Sequence, residues 1–233
     1  MANILMVVSA ADSLTMRDGT KHPTGYWAEE LVVSHQTLLD AGHTVHIATP
    51  TGARPTVDEV SLAPESAGGQ DRADGFRAYL AAIDGELSAP LVLADVDPSA
   101  YDAVVMPGGH GPMADLYKDA DLGRILAEAD RAGKVIAPFC HGPAGLLSAV
   151  DDDGKFVFAG RRLTVFTDEE ELNGGTGPNT PWFVEDVLKD KGAIVENGAA
   201  WSSNVVRDRN LITGQNPQSS EDVAKEVIKA LAA

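Results

Sequence analysis

Three runs in this chain are apolar at every position: residues 4–8 (Ile-Leu-Met-Val-Val), 103–106 (Ala-Val-Val-Met) and 135–137 (Val-Ile-Ala). They are too short for helices, and they lack the polar alternation of a strand with one wet face. Such runs mark strands buried on both faces, which belong to parallel sheets covered by helices. Between and after them come apolar residues at helical spacing: Leu31, Val32, Leu38 and Leu39; Leu122, Ile125, Leu126 and Ala129; Phe183, Val184, Val187 and Leu188; Ala224, Val227, Ile228 and Leu231. This alternation predicts an α/β fold, a mostly parallel sheet sandwiched by helices.

The first β-α-β unit spans residues 4–48, with a helix starting near Gly25 and ending at Ala41-Gly42, and its crossover is expected to be right-handed. Further strands are expected at 163–166, 193–195, 205–206 and 211–213, and Ser220 is expected to cap the last helix. Residues 49–90 break the rhythm. Phe76, Tyr79, Leu80 and Ile83 suggest one short helix there, in an insertion too small to bury a core alone. It is expected to serve as part of a lid, a partner surface or a long connection. The whole chain, 1–233, reads as a single α/β domain.

The formal charge of −17 argues against nucleic acid and anionic membranes as partners, because phosphates would be repelled by most of the surface. No apolar run approaches the length of a membrane span, and residues 1–10 read as a first strand rather than a signal peptide. One cysteine excludes intrachain disulfides. A reactive free thiol is best kept in a reducing compartment, so a cytoplasmic location is expected.

That cysteine, Cys140, lies between the 135–137 run and Gly142-Pro143-Ala144-Gly145, a strand, sharp turn and helix by pattern. A lone cysteine is ordinarily a small buried hydrophobe. Here glycine and proline shape a turn around it and His141 follows directly, as at a nucleophile elbow. A thiol beside the amides of a helix N-terminus is expected to ionise more easily than usual. Gly108 and Gly109, after the 103–106 strand, form either a plain tight turn or, with the His141 amide, an oxyanion hole.

Of six histidines none follows His141, so a base from far downstream is excluded, and His110 is a candidate pocket residue. His43 and His46 are too few for a metal site, and neither metal nor cofactor is expected. Glu29 and Glu30, early in the first helix, are either acids favoured by its dipole or a carboxylate beside the thiol. In the second case poor solvation would raise the carboxyl pKa and allow proton transfer near neutral pH.

Four segments together resemble the ThiJ/PfpI superfamily, which is similar in fold to class I glutamine amidotransferases, and within it the glyoxalase III-like, chaperone-like branch. They are Thr24-Gly25-Tyr26-Trp27-Ala28-Glu29-Glu30-Leu31, Met106-Pro107-Gly108-Gly109-His110-Gly111, Cys140-His141-Gly142-Pro143, and Thr213-Gly214-Gln215-Asn216-Pro217-Gln218-Ser219-Ser220. The resemblance implies a flavodoxin-like (Rossmann-like) sheet and a homodimer. It implies Cys140 as nucleophile, His141 as its partner, Glu30 rather than Glu29 as the nearby acid, and an acid among residues 168–171, with Glu170 favoured, to orient His141. Gly108, Gly109 and His110 would line the substrate site. The implied activity is cofactor-free conversion of methylglyoxal, a small aldehyde, to lactate. The same residues are compatible with a cysteine peptidase or amidohydrolase, a hydratase of small carbon–nitrogen substrates, or a holdase or deglycase with an oxidisable Cys140.

Overall fold

The computed structural model describes residues 1–232. The chain opens with β1 (Asn3–Val7), then a hairpin of β2 (Ser13–Thr15) and β3 (Lys21–Pro23) inside the loop that precedes α1 (Ala28–Asp40), and β4 (Thr44–Thr49) completes the first β-α-β unit. The insertion holds α2 (Pro64–Ala67), α3 (Gln70–Ala82) and α4 (Asp84–Ser88) before β5 (Leu91–Val92). Next come β6 (Ala103–Met106), α5 (Ala120–Arg131) and β7 (Val135–Pro138). The last part comprises β8 (Arg162–Leu163), α6 (Asp168–Gly174), α7 (Val184–Asp190), β9 (Ile194–Val195), β10 (Val205–Asp208), β11 (Leu211–Gly214) and α8 (Ser220–Leu231).

The central sheet has the order β10-β11-β7-β6-β1-β4-β5, and every pair is parallel except β10 with β11. Pleating sends alternate residues to opposite faces. Leu5, Val7, Val104, Met106 and Ile136 pack with α5 through Leu122, Ile125 and Leu126. Ile4, Met6, Val105 and Ala137 pack on the other side with Leu31 and Leu38 of α1 and Val223 and Val227 of α8. The all-apolar runs are thus strands with a helical layer on each side, the flavodoxin-like arrangement expected.

Three local expectations are corrected. The insertion carries three helices rather than one, because Pro64 starts a separate short turn that Gly68 ends in the left-handed region (φ 82°). Ser220 is the first residue of α8, and its hydroxyl bonds to the Pro217 carbonyl; Ser219 holds the capping position without a side-chain cap bond. The segment after Cys140 is a 3₁₀ helix, Gly142–Ser148. It passes so close to β6 that a Cβ on Gly142 would lie 2.2 Å from the Met106 carbonyl oxygen.

The insertion also fixes the start of α1. Tyr26 N–H donates to the Thr56 carbonyl at 2.9 Å, and Ala28 N–H donates to the Ser61 hydroxyl at 2.9 Å. Gly25 leaves no room between the segments, since a Cβ there would lie 1.9 Å from the Thr56 carbonyl oxygen. Backbone on both sides cannot yield cheaply. Gly25→Ala is therefore expected to destabilise the fold by roughly 1–3 kcal/mol in urea unfolding, and an unchanged midpoint would contradict this packing.

Candidate active site

Strands β6 and β7 end side by side, and the chain beyond each turns sharply at the carboxyl edge of the sheet, where ligands bind in open α/β folds. Cys140 takes a left-handed backbone conformation, φ 56°, which is costly for a residue with a side chain. Surrounding bonds hold it there. Its N–H donates to the Gly214 carbonyl at 2.9 Å, its carbonyl accepts from Phe166 N–H at 3.0 Å, and Gly142 N–H donates to the Phe139 carbonyl at 2.8 Å. Gly108 must be glycine, since a Cβ would meet the His141 nitrogen at 2.6 Å and the Cys140 Cβ at 3.0 Å.

The first turn of α1 separates its two acids. Glu29 is mostly covered and pairs with the exposed Arg72 of α3 at 2.6 Å. Glu30 is wholly buried beside Cys140; its Oε2 accepts the Gly108 N–H at 2.5 Å, and its Oε1 has no hydrogen-bond partner. Burial pushes the Glu30 carboxyl up to about 8, despite the Gly108 amide and the thiol, which favour its charged form. Glu30 therefore holds its proton at neutral pH.

The expected direction for the thiol is reversed. Cys140 is only 3 % exposed, and burial pushes it well above the usual thiol range; the Glu30 charge would push it further. The amides of Gly109 and His141 do favour the thiolate, as the helix-terminus reading expected, but they are outweighed. In the resting site the sulfur keeps its proton and needs a base.

His141 supplies one. Its Nδ1 lies 3.4 Å from Cys140 Sγ and its Nε2 lies 2.7 Å from Glu171 Oε2. Burial and the nearby His110 hold the imidazole below its ordinary pKa, so it is neutral. The bond to Glu171 places the single ring proton on Nε2, and Nδ1 is left as an acceptor facing the thiol.

The orienting acid is thus Glu171, not Glu170. Glu170 is the third helical residue of α6 and closes a capping box with Thr167. Its carboxylate then accepts from Asn216 Nδ2 at 2.8 Å, Gln215 Nε2 at 3.2 Å and Trp201 N–H at 2.7 Å, tying the 213–220 segment to α6. One residue later on the helix, Glu171 points instead to the histidines. Besides His141 it bonds His110 Nε2 at 3.1 Å, and its Oε1 accepts from Thr176 N–H at 2.6 Å, Thr176 Oγ1 at 2.9 Å and Thr180 Oγ1 at 3.0 Å. These donors outweigh burial and hold Glu171 far below the usual carboxylate range. The pattern Thr167-x-x-Glu170 was the legible signal, since a capping-box glutamate is committed to its own helix end.

The oxyanion expectation needs a parallel correction. The Gly108 N–H is consumed by Glu30, which leaves the Gly109 and His141 amides beside the sulfur. The cavity above Cys140, about 50 Å³, is lined by Trp27, Gly109, His110, His141, Phe166 and Trp201, among others. His110 packs on His141 with ring centres 4.2 Å apart, and Phe166 packs on the other side at 4.5 Å. Trp27, Phe166, Trp201, Thr176 and Thr180 were not anticipated as site residues; only Trp27 lay in a segment already singled out. His43 and His46 stand apart from this group.

Comparison with known proteins accords with this layout. The family described as DJ-1/PfpI matches residues 22–230. The protein/nucleic acid deglycase HchA of Pseudomonas aeruginosa is 31 % identical, with 98 % of this chain and 80 % of that protein covered. Glyoxalase 3 of Candida albicans is 28 % identical over 99 % of this chain and 98 % of its own length. Among solved structures, the rapid encystment protein of 24 kDa from Francisella tularensis superposes with a TM-score of 0.87 at 30 % identity, covering 99 % of both chains. Glyoxalase III of Candida albicans superposes with a TM-score of 0.82 at 26 % identity, covering 98 % of this chain and 97 % of that one.

The Glu30 carboxyl carries a stability signature. Its pKa is raised on folding, so the stability linked to its proton is fully present below the ordinary value of 4.5 and is lost as pH rises toward about 8. Glu30→Gln removes that loss. The variant is expected to gain on the order of 4 kcal/mol relative to wild type between pH 5 and pH 8 in urea unfolding; parallel stability curves would contradict a protonated Glu30.

Proposed function

The chain belongs to the DJ-1/PfpI family, and from that premise we propose that it is a glutathione-independent glyoxalase converting small 2-oxoaldehydes such as methylglyoxal to 2-hydroxy acids such as lactate. Its relatives include enzymes named as glyoxalases and deglycases. The observation that carries the reading is the buried, proton-holding Glu30 carboxyl next to the Cys140 thiol, which itself lines the cavity. An acid next to the sulfur supplies the proton donor and acceptor that rearrangement of an aldehyde to a hydroxy acid needs.

The chemistry follows from the arrangement. His141 Nδ1 takes the thiol proton as sulfur adds to the aldehyde carbon, forming the C–S bond and leaving the electron pair on oxygen. The Gly109 and His141 amides stabilise that oxyanion, and Glu30 donates its proton to it, giving a neutral hemithioacetal. Glu30, now a carboxylate, removes the hydrogen from the same carbon and returns it to the adjacent carbon, while the hydroxyl proton passes from the first oxygen to the second through the enediol; a thioester of the hydroxy acid remains. Water attacks the thioester carbonyl as the Glu30 carboxylate takes one of its protons, the C–S bond breaks, and the sulfur recovers a proton from His141, which returns the site to its resting state. No net oxidation occurs, because hydrogen moves between two substrate carbons. A carboxyl titrating near 8 suits both donation and removal near neutral pH.

The test is lactate formation from methylglyoxal by purified protein without glutathione. Cys140→Ala is expected to abolish it. Glu30→Gln should keep the thiol alkylable yet lower kcat by on the order of 100- to 10,000-fold. Glu171→Gln should lower kcat by more than Glu170→Gln does. Turnover that survives Cys140→Ala would overturn the reading.

A further inference from the structure

We propose that His110, His141 and Glu171 form a binding site for a divalent transition-metal ion of the zinc type, and that its occupation switches the thiol chemistry off. The two imidazoles approach one carboxylate from different elements, His141 Nε2 at 2.7 Å from Glu171 Oε2 and His110 Nε2 at 3.2 Å from the same oxygen. One ligand atom from each of the three residues lies within 4.8 Å of the other two. A tetrahedral zinc ion with bonds of about 2.0–2.2 Å sets its ligand atoms roughly 3.3–3.5 Å apart, so an ion fits among these atoms with side-chain shifts of about an ångström.

The supporting shell is already in place. Glu171 Oε1 is fixed by Thr176 and Thr180, and Oε2 remains to serve the ion. His110 and His141 both line the cavity above Cys140. A chain of charge −17 also concentrates cations around itself. The thiol is not part of the set, because Cys140 Sγ lies at the opposite ring nitrogen, Nδ1 of His141.

The consequence follows from the imidazole's protons. Coordination at Nε2 requires the neutral imidazole to carry its single proton on the other nitrogen, so that proton shifts from Nε2 to Nδ1, facing sulfur. It can no longer accept the thiol's proton, and Glu171 no longer orients it.

Metal-free protein would be titrated with Zn²⁺ by calorimetry and with Co²⁺ by absorption spectroscopy. The expected result is one ion per chain, with a cobalt spectrum of low coordination number and no sulfur-to-metal charge-transfer band. His110→Ala should weaken Zn²⁺ binding by on the order of 100-fold. Saturating Zn²⁺ should lower lactate formation by on the order of 100-fold, reversed by a chelator. Absence of saturable binding, a charge-transfer band from Cys140, or binding unaffected in both His110→Ala and Glu171→Gln would overturn the site. Tight binding with turnover unchanged would overturn the switch. If the variants fail to fold, the wild-type cobalt spectrum decides alone. Binding is read without turnover, so failure of the glyoxalase reading would leave a distinct result.

Discussion

One buried hydrogen bond, from the Gly108 amide to the Glu30 carboxyl, joins the first helix to the central sheet at the point where the chemistry is done. It spans two layers of the fold and fixes the acid where water cannot reach it. Burial then dictates the rest. A carboxyl in that position keeps its proton, and a proton-holding acid beside a thiol leaves the sulfur neutral until a base acts. The insertion contributes from the outside by clamping residues 25–28 through Thr56 and Ser61, so the helix start that carries Glu30 cannot drift.

The opposite wall of the site works by the reverse principle. Glu171 is also buried, yet it is charged, because five donors converge on it from two histidines, two threonine hydroxyls and one amide. Two carboxyl groups flank one Cys140–His141 pair, and their surroundings push them in opposite directions. That asymmetry is how one site holds both a proton donor and an imidazole committed to accept.

The sheet was legible in the sequence because burial on both faces leaves an unmistakable mark, every residue apolar, and the strands at 103–106 and 135–137 fall where those runs do. Cys140, His141 and Glu30 were legible from the turn residues and from their shared segments. What stayed hidden depends on direction and solvation. Consecutive acids at 168–171 differ by one helical step of about 100°; the sequence shows the capping-box pattern that claims Glu170 but not that Glu171, the next residue, points at the histidines. The thiol's direction was misjudged because the sequence displays the favourable amides but not the loss of water around the sulfur. Gly108 was read as an oxyanion donor because nothing in the 106–111 segment reveals that Glu30, far away in the chain, already takes its N–H.

Everything in the site turns on Glu30 carrying a proton at neutral pH before substrate binds. Infrared difference spectroscopy between wild type and Glu30→Gln reads that state directly. The expected result is a carbonyl band of a protonated carboxylic acid in the wild type at pH 7, fading above about pH 8 and missing from the variant. A wild-type difference spectrum showing only the paired bands of an ionised carboxylate at pH 7 would contradict it.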